Sequence, residues 1–421
     1  MKYFADHAWV GGSVQAGVAL VVEDGRFTAV TPGAAPEGTR LRGLTLPGFA
    51  NAHSHAFHRA LRGRTFDDRG SFWTWRERMY AVAGSLDPDS YYALARAVYG
   101  EMALAGITCV GEFHYLHHGP DGTAYADPNA MGNALVAAAR DAGIRITLLD
   151  TLYLTSGVDG KPLEGVQRRF GDGDYDSWRS RVSSLAPSAH SRIGAAFHSV
   201  RAVPVAALVS QPLLHLHLSE QPAENEACQA VHGCTPTELL HRYGVLGPGT
   251  TAVHATHLTD HDVSLLASSG TGVCLCPTTE RDLADGIGPA RQLADAGVPL
   301  SLGSDSHAVV DMFEEARGTE LDERLATRRR GHFSPAELIA AATAHAALGW
   351  DDAGEIAVGK RADLVTVTLD SVRTAGSDPA GVVFSATAAD ITDVIADGRP
   401  VVTAGRHTSF DVPAALRSVL S

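Results

Sequence analysis

Short apolar runs alternate with longer alanine-rich stretches through the middle of the chain. The short runs have the length of β-strands, and the longer stretches carry apolar residues at helical spacing. The predicted strands are Leu44–Ala50, Thr108–Phe113, Arg145–Leu154, Ile193–Phe197, Leu213–Leu218, Thr251–Ala255, Gly272–Cys276 and Pro299–Gly303. The predicted helices are Ser90–Ala105, Met131–Ala142, Ala290–Ala296 and Pro335–Leu348, the last with Ser334 as its N-cap.

This alternation predicts an α/β protein built on a (β/α)8 TIM-like barrel, because its strands are separated by segments long enough for helices. An open, doubly wound sheet is the alternative. That architecture would be expected to carry a G-x-G-x-x-G turn after its first strand, and the sequence has none.

The two ends of the chain follow a different pattern, in which short apolar runs are separated by Gly and Asp turns. Val18–Val22 and Ala362–Leu369 are examples. Such runs are typical of small antiparallel strands. We therefore predict that residues 1–46 and 351–421 pair into one small β-sandwich domain beside a hydrolase barrel of residues 47–350.

Composition fits a packed globular enzyme. Hydrophobic residues make up 45% of the 421 residues and charged residues 19%, which argues against disorder. The formal charge of −14 disfavours nucleic acid and anionic membranes as partners. The N-terminus lacks the pattern of a signal peptide, and no apolar run reaches the roughly 18 residues of a membrane span. With 5 scattered cysteines, the sequence predicts a cytoplasmic protein.

Histidines and acidic residues gather where the predicted barrel strands end. In a barrel these strand ends meet at one face, which carries the functional side chains. A single histidine at such a place is more often a core or capping residue, but the whole set predicts an active site. The residues concerned are His53, His55, Glu112, His114, Tyr115, His198, Arg201, His217, Glu220, His254, His257, Asp305 and His307.

Four of these residues predict a metal site. His53 and His55 are two positions apart, so in an extended strand both side chains point to the same side. Together with His217 from the fifth strand and Asp305 from the eighth, they form a ligand set for a borderline divalent cation such as zinc. Such a site leaves a position for water, whose pKa the metal lowers toward neutrality.

Lysine positions bear on the number of metal ions. Barrels that hold two metals commonly bridge them with a modified lysine at the end of the fourth strand. The lysines of this chain are Lys2, Lys161 and Lys360, which fall in the predicted β domain or in a loop after the third strand. None is placed to bridge, so we predict one divalent metal ion, with Zn2+ as the best candidate.

Three segments resemble a known family. Leu46–His55 and Gly303–Asp305 are similar to the first and eighth strands of the amidohydrolase superfamily, and Gly354–Val365 is similar to its return into a small β domain. The match covers nearly the whole chain. The resemblance implies a metal-activated water that attacks a carbon bonded to nitrogen or oxygen.

Within that superfamily, the motifs Trp73-Thr-Trp-Arg-Glu77 and Cys276-Pro-Thr-Thr-Glu280 resemble the formimidoylglutamate deiminase family. This resemblance implies conversion of N-formimino-L-glutamate and water to N-formyl-L-glutamate and ammonia, a step of histidine degradation. The chain departs from the family at His58, where glutamine is expected. Other similar stretches are Ser54–Ala60, Glu112–His118, His198–Val203, Val253–His257 and Ser304–His307.

The implied substrate is a small dianion with a cationic formamidine group. Arginine suits carboxylates because its guanidinium is planar and permanently charged. Arg76 and Arg201 are therefore predicted to bind the substrate, with Tyr115, His198 and His58 as further contacts.

Proton transfer is assigned to residues next to the metal ligands. Glu220 is placed to carry a proton to the departing nitrogen. His254 is predicted to orient the water or to stabilise the tetrahedral adduct. Either Asp305 or His254 would help to remove the first proton from the water, and the sequence leaves this choice open. His257 and His307 are expected to orient the ligands.

Several alternatives remain open. Arg76 could instead stack on Trp73 and Trp75 at the surface, and Arg62–Tyr80 is a candidate lid. Another deaminase of the superfamily, acting on a purine, pyrimidine or related ring, would need stacking aromatic residues and few arginines at the mouth. A non-catalytic barrel would be expected to have lost part of the ligand set, which this chain keeps. A homodimer is expected.

Overall fold

The computed structural model describes residues 1–65 and 72–420. Within them the strands are β1 (Lys2–Val10), β2 (Ser13–Glu23), β3 (Arg26–Thr31), β4 (Thr39–Pro47), β5 (Phe49–Ser54), β6 (Ile107–His114), β7 (Arg145–Leu152), β8 (Ser191–Phe197), β9 (Leu214–Leu218), β10 (Thr250–His254), β11 (Gly272–Leu275), β12 (Leu300–Leu302), β13 (Leu364–Val367), β14 (Ile391–Ala396), β15 (Arg399–Thr403) and β16 (Arg406–His407). The helices are α1 (Phe72–Ser85), α2 (Pro88–Leu104), α3 (Ala130–Ala142), α4 (Tyr175–Val182), α5 (Pro222–His232), α6 (Pro236–Arg242), α7 (Asp260–Ser269), α8 (Pro277–Asp282), α9 (Ala290–Asp295), α10 (Met312–Thr327), α11 (Pro335–Ala342) and α12 (Val412–Leu420).

Strands β5 to β12 form the predicted parallel barrel, in chain order around its circumference. Each strand pairs with the next one in parallel. Most residues of these strands are buried, as expected where helices cover the outside and side chains fill the inside. The carboxyl ends of all the strands consequently meet at one face.

The barrel closes between β5 and the residues that follow β12. Ser304 N donates to Asn51 Oδ1 at 2.9 Å, and Asn51 Nδ2 donates to Ser304 Oγ at 2.7 Å. One step further along, Asp305 N donates to the carbonyl of His53 at 3.0 Å. We call these contacts, between Asn51–His55 and Ser304–Asp305, the closing seam.

Both chain ends contribute to the second sheet, as predicted. Its strand order is β16-β15-β14-β13-β4-β1-β2-β3. Strand β4 lies at its centre, parallel to β1 and antiparallel to β13, so the N-terminal and C-terminal strands meet there. The strands that were predicted to form a sandwich are therefore hydrogen-bonded side by side in one mixed sheet.

The predicted first barrel strand, Leu44–Ala50, is wrong, because it spans two strands of different sheets. Strand β4 ends at Pro47 and β5 begins at Phe49. Gly48 between them donates its N–H to the carbonyl of Asp363 at 3.0 Å. A Cβ at position 48 would lie 2.5 Å from the Thr108 side chain. The apolar run is continuous in the sequence, but the chain passes from one sheet to the other at Gly48. Glycine is required there because a larger residue would collide with Thr108.

A buried ion pair joins the bottom of the barrel to the second sheet. Arg145, at the start of β7, donates to the carboxylate of Asp363, just before β13, and both side chains are 1% exposed. Burial opposes the charged forms, but the mutual attraction of this pair raises the pKa of Arg145 and lowers that of Asp363. The ring of Trp350 lies beside Arg145, Arg192 and Arg361, with guanidinium-to-centroid distances of 5.1, 4.3 and 4.8 Å.

The helices begin where capping residues place them. Ser334 accepts a hydrogen bond from Glu337 N, with Pro335 at the first helical position, which confirms the predicted N-cap of α11. The predicted helix Pro335–Leu348 is shorter than expected, because α11 ends at Ala342 and a separate 3-10 turn follows. Among the described residues, no helix combines the length and apolar character needed to cross a membrane.

Candidate active site

Four predicted ligands come together at the carboxyl ends of β5, β9 and β12. The Nε2 atoms of His53 and His217 lie 3.2 Å apart. Asp305 Oδ1 lies 3.2 Å from His53 Nε2 and 3.4 Å from His55 Nε2. One donor atom from each of the four residues lies within 4.8 Å of all the others, and all four residues are buried.

The hydrogen bonds of two rings decide which nitrogen faces the centre. His55 Nδ1 lies 2.9 Å from the carbonyl of Phe113, and His217 Nδ1 lies 2.8 Å from the carbonyl of His198. A carbonyl only accepts, so each Nδ1 carries the proton and each Nε2 presents a lone pair. Burial, and then the neighbouring His53, lowers the pKa of His55 to about 3 and holds the pKa of His217 well below its ordinary value.

The donor chemistry fits a divalent metal. Lone pairs of the neutral His55 and His217 rings converge with the carboxylate of Asp305 on one buried point, beside Nε2 of His53. Burial raises the pKa of Asp305, but its hydrogen bond to His53 and the nearby imidazoles outweigh burial and hold the pKa well below its ordinary value. Lone pairs and a negative charge packed this closely repel one another unless a cation lies between them.

A hydrogen-bonded network supports the loop that carries the first two histidines. Ser54 Oγ donates to Glu112 Oε2 at 2.8 Å, and His307 Nε2 lies 3.0 Å from the same Ser54 Oγ. Ala56 N donates to Glu112 Oε1 at 2.7 Å. Burial raises the pKa of Glu112 to about 7 against these hydrogen bonds. His307 thus contacts the segment between the two histidines, where an orienting residue was predicted.

His254 lies among three carboxylates. Its Nε2 is 3.9 Å from Glu220 Oε1 and 3.8 Å from Asp305 Oδ2, and its Nδ1 is 3.5 Å from Glu280 Oε1. Burial lowers the pKa of His254, but these carboxylates outweigh burial and raise the pKa well above its ordinary value. The surrounding carboxylates thus favour the protonated form of the ring, in which both nitrogens donate. Glu280 was noticed in the sequence only as part of a motif, not as a site residue.

Two predicted residues lie away from this centre. His257 Nε2 is 2.8 Å from the carbonyl of Asp285, beyond the ring of ligands. His114 is buried beside His117 and Asp150, and these three could form a second metal group by distance alone. The carboxylate of Asp150, however, already accepts two hydrogen bonds of 2.8 Å from Arg181. The guanidinium of Arg181 therefore supplies the positive charge that a metal ion would otherwise bring to Asp150.

Backbone strain is concentrated at the strand ends. Ser219, His254, Ala255, Asp305 and His307 have φ angles of 49°, 68°, 53°, 38° and 58°. Non-glycine residues seldom adopt this left-handed conformation, and doing so costs free energy. At β9, β10 and β12 the chain thus turns sharply just after the strand, which directs the following side chains over the mouth of the barrel.

The donor set opens into a cavity of about 300 Å3. Every predicted substrate-binding residue lines it, namely His58, Arg76, Tyr115, His198 and Arg201. Its aromatic residues are Trp75, Tyr80, Tyr115, Tyr153 and Phe170. Tyr153 directly follows β7, so the position of strand ends could have indicated it, whereas Tyr80 and Phe170 come from a helix and a loop without such a signal. Residues 66–71 of the candidate lid, and the Trp73 side chain, lie outside what the structure describes.

Arg201 lies between two carboxylates on the cavity wall. Its Nη2 is 3.6 Å from Glu220 Oε2, and its Nε is 3.4 Å from Glu224 Oε2. Burial lowers the pKa of Arg201, but Glu224 and Glu220 outweigh burial and raise it. The guanidinium of Arg76 lies 5.6 Å from the ring centroid of Tyr80. Sequence reasoning missed Glu224, which lies in the first turn of α5.

His58 occupies the position where glutamine was expected, and it contacts both Tyr115 and the metal-ligand candidate His55. Its Nε2 lies 2.9 Å from the hydroxyl of Tyr115, and its ring centroid is 4.5 Å from that of His55. Its ring also meets Trp75 edge-on at 5.1 Å. Burial, and then the neighbouring His55, holds the pKa of His58 well below its ordinary value, so the ring is neutral. It fixes the position of the Tyr115 hydroxyl beside the metal-binding group.

Comparison with known proteins gives consistent matches over nearly the whole chain. The sequence model of the amidohydrolase family matches residues 44–401. A formimidoylglutamate deiminase from Pseudomonas aeruginosa is 36% identical, over 91% of this chain and 90% of that protein. An 8-oxoguanine deaminase from the same species is 29% identical, over 94% and 92%. Among solved structures, an amidohydrolase from Brucella melitensis superposes with a TM-score of 0.90 at 31% identity, over 100% of this chain and 98% of its own.

Proposed function

The chain belongs to the amidohydrolase family, and on this premise we propose that it hydrolyses N-formimino-L-glutamate to N-formyl-L-glutamate and ammonia. It is a metal-dependent hydrolase that acts on carbon–nitrogen bonds. One observation carries the choice of substrate. Arg76 and Arg201 line the same cavity as the donor set. A small molecule can therefore place its formimino group at the donor set and its carboxylates at the two arginines.

We assign His53, His55, His217 and Asp305 as the ligands of one divalent ion, and Zn2+ suits their nitrogen and oxygen donors. When bound, this ion would polarise the attacking water and lower its pKa toward neutrality. In the described part of the chain no lysine lines the cavity, which supports the proposal of a single ion.

Glu220 is the proton carrier of the proposed reaction. The water oxygen adds to the formimino carbon, and one water proton passes to the Glu220 carboxylate, which delivers it to the departing nitrogen. The hydroxyl proton of the adduct follows the same route, the bond from carbon to that nitrogen breaks, and ammonia leaves. The carbon keeps the oxygen as a formyl group. Glu220 is 7% exposed and lines the cavity, which supports this role.

The other wall residues bind and orient the substrate. His254 donates a hydrogen bond to the oxygen that gains negative charge in the adduct. Arg201 and Arg76 bind the carboxylates of the substrate. The hydroxyl of Tyr115, held by His58, and the ring of His198 add further hydrogen bonds; both line the same cavity.

A ring deaminase is the second candidate, and one observation favours it. Five aromatic side chains line the cavity, and such a wall can stack a purine or pyrimidine. The similarity to an 8-oxoguanine deaminase agrees with this alternative. The arginines favour the dianionic substrate, because a neutral ring offers no carboxylate for their guanidinium groups to bind.

Ammonia release from a panel of substrates decides between the two candidates. The zinc-loaded protein is assayed with N-formimino-L-glutamate, N-formimino-L-aspartate, guanine, 8-oxoguanine and cytosine. We expect the glutamate derivative to have the highest kcat/KM, and the aspartate derivative to be slower because its side chain is one methylene shorter. Activity confined to a ring compound would overturn the proposed substrate. Light scattering checks the predicted homodimer in the same preparation.

A further inference from the structure

Glu224 is a buried carboxylate that lies beside the guanidinium of Arg201 on the cavity wall. It lies in the first turn of α5 and is 1% exposed. Its Oε1 accepts a long hydrogen bond of 3.4 Å from Ser219 N. Its Oε2 has no hydrogen-bond partner among the described residues and lies 3.4 Å from Arg201 Nε. Burial raises the pKa of Glu224 to about 7, and the guanidinium of Arg201 opposes burial by favouring the charged carboxylate.

Two carboxylates, those of Glu224 and Glu220, lie near the guanidinium of Arg201. Glu220 Oε2 lies 3.6 Å from its Nη2. Its Nε donates to Ser199 Oγ at 3.2 Å, which orients the guanidinium plane. Neither contact is a direct hydrogen bond, because Glu224 Oε2 has no hydrogen-bond partner among the described residues and the contact with Glu220 is longer than a hydrogen bond. The guanidinium is therefore attracted by two carboxylates without a hydrogen bond to either, so it can still bind a third carboxylate directly.

This arrangement matters because Glu220 has to accept a proton in the proposed reaction. A guanidinium drawn onto Glu220 would stabilise its ionised form and weaken its affinity for that proton. The negative charge of Glu224 competes with Glu220 for the same guanidinium. We infer that Glu224 is a positioning residue: it holds Arg201 for the substrate carboxylate and keeps it from pairing with Glu220. This inference rests on the proposed function and extends it to a residue that does not touch the reacting atoms.

A consequence for specificity follows. When a substrate carboxylate binds Arg201, it adds to the pull of Glu224 and releases Glu220 further. The carboxylate of the substrate thus promotes the chemical step as well as binding, as expected when binding energy from a remote group is used at the reacting centre. A formamidine without that carboxylate should lose kcat in addition to having a higher KM.

The test compares E224Q with E226Q in the zinc-loaded protein, with formimino-glutamate as the substrate. Glu226 lies on the same helix but is exposed, so the control carries the same chemical change without the contact to Arg201. We expect E224Q to lower kcat about tenfold, within the range of a weakened proton transfer, with KM changed less than about threefold and zinc content unchanged. E226Q should match the parent protein. A normal kcat, or a loss confined to KM, would overturn the inference.

Two further variants show whether Glu224 acts through Arg201. In an R201Q background, E224Q should change kcat less than about twofold, because the group that Glu224 positions is gone. An equal tenfold loss in both backgrounds would contradict the inference. E224D keeps the charge on a shorter side chain and should recover part of kcat. If circular dichroism shows that E224Q is unfolded, the kcat of E224D becomes the deciding measurement. If the parent protein does not hydrolyse formimino-glutamate at all, the proposed function fails, independently of these comparisons.

Discussion

Asp305 and His53 are joined twice, once through their side chains and once through their backbones. Asp305 Oδ1 lies 3.2 Å from His53 Nε2 in the donor set. Asp305 N also donates to the carbonyl of His53 at 3.0 Å in the closing seam. The metal site and the closure of the barrel therefore depend on the same two residues. Measuring metal content and stability independently distinguishes an effect on the site from an effect on barrel closure.

Replacing Asp305 with Asn should remove bound metal while leaving the barrel closed. The amide keeps the shape and the backbone hydrogen bond, but it lacks the negative charge. We expect zinc affinity to fall at least about tenfold, since even the loss of an outer hydrogen-bond partner has that effect. Zinc per chain after dialysis in buffers of defined free zinc measures this loss. D370N, an exposed carboxylate outside the barrel, is the control; normal zinc content in D305N would contradict the ligand assignment.

Glu220→Gln should abolish most turnover without loss of metal. Gln cannot accept or deliver the proton, and general acid–base catalysis typically contributes about 10²–10⁴-fold. Ammonia release and zinc content are measured on the same sample. E226Q on the following helix serves as the matched control, because its side chain is exposed. Undiminished ammonia release from E220Q would refute the proton-carrier role.

Asn51→Ala should weaken both stability and metal binding. Asn51 is fully buried and makes two hydrogen bonds with Ser304, one in each direction. Removing the amide leaves the Ser304 groups unpaired, which should cost about 2–3 kcal/mol in the free energy of unfolding. Urea unfolding of metal-free and zinc-loaded protein measures the loss, and zinc affinity should fall with it. Unchanged zinc affinity would show that the closing seam does not position the ligands.

Asp363→Asn should lower stability and leave catalysis almost intact. The substitution breaks a buried ion pair with Arg145 that joins the barrel to the second sheet, which should cost about 3–5 kcal/mol. Because the pair lies at the opposite end of the barrel from the site, kcat and KM below the unfolding temperature should remain close to those of the parent protein. A large change in KM would indicate that the second sheet influences the site.

The acid stability of the second sheet should depend on Asp390. Burial raises the pKa of this carboxyl, but Arg373 and the turn residues Ser371 and Thr387 outweigh burial and hold the pKa well below its ordinary value. A lowered pKa in the folded state means that the stabilisation is complete above the unfolded value of about 4 and disappears as the pH falls through the folded value. D390N should therefore be about 2 kcal/mol less stable at pH 7. The difference should shrink below about pH 4; a constant difference across pH would argue against the ion pair.

The donor residues could be predicted from sequence because they follow rules of local geometry. His53 and His55 share a side in any strand, and His217 and Asp305 end strands that must meet at one face. Glu224 and Phe170 also line the cavity, but no local rule places them there. Glu224 lies in a helix, and Phe170 reaches the mouth from a long loop whose path depends on tertiary packing.

Helix α10 was missed for a different reason. Its buried face contains Glu315 and Glu320, both fully buried, so the apolar spacing of a typical helix is absent. Glu315 accepts hydrogen bonds from the N–H and hydroxyl of Thr278. Glu320 accepts from Phe333 N at 2.7 Å. Helix α8 and the loop that follows α10 supply the partners of these carboxylates, and a single sequence does not reveal these tertiary contacts.

The closing seam also bears on how the protein unfolds. A metal held by His53 and Asp305 would act as a cross-link between the first and the last strand of the barrel, which are distant in sequence. Closing a loop of that length carries an entropic cost that the unfolded chain does not pay. Loss of the ion would thus remove both this cross-link between the two strands and the group that activates water. Resistance to proteolysis and enzymatic activity should therefore rise together as the apo-protein takes up metal.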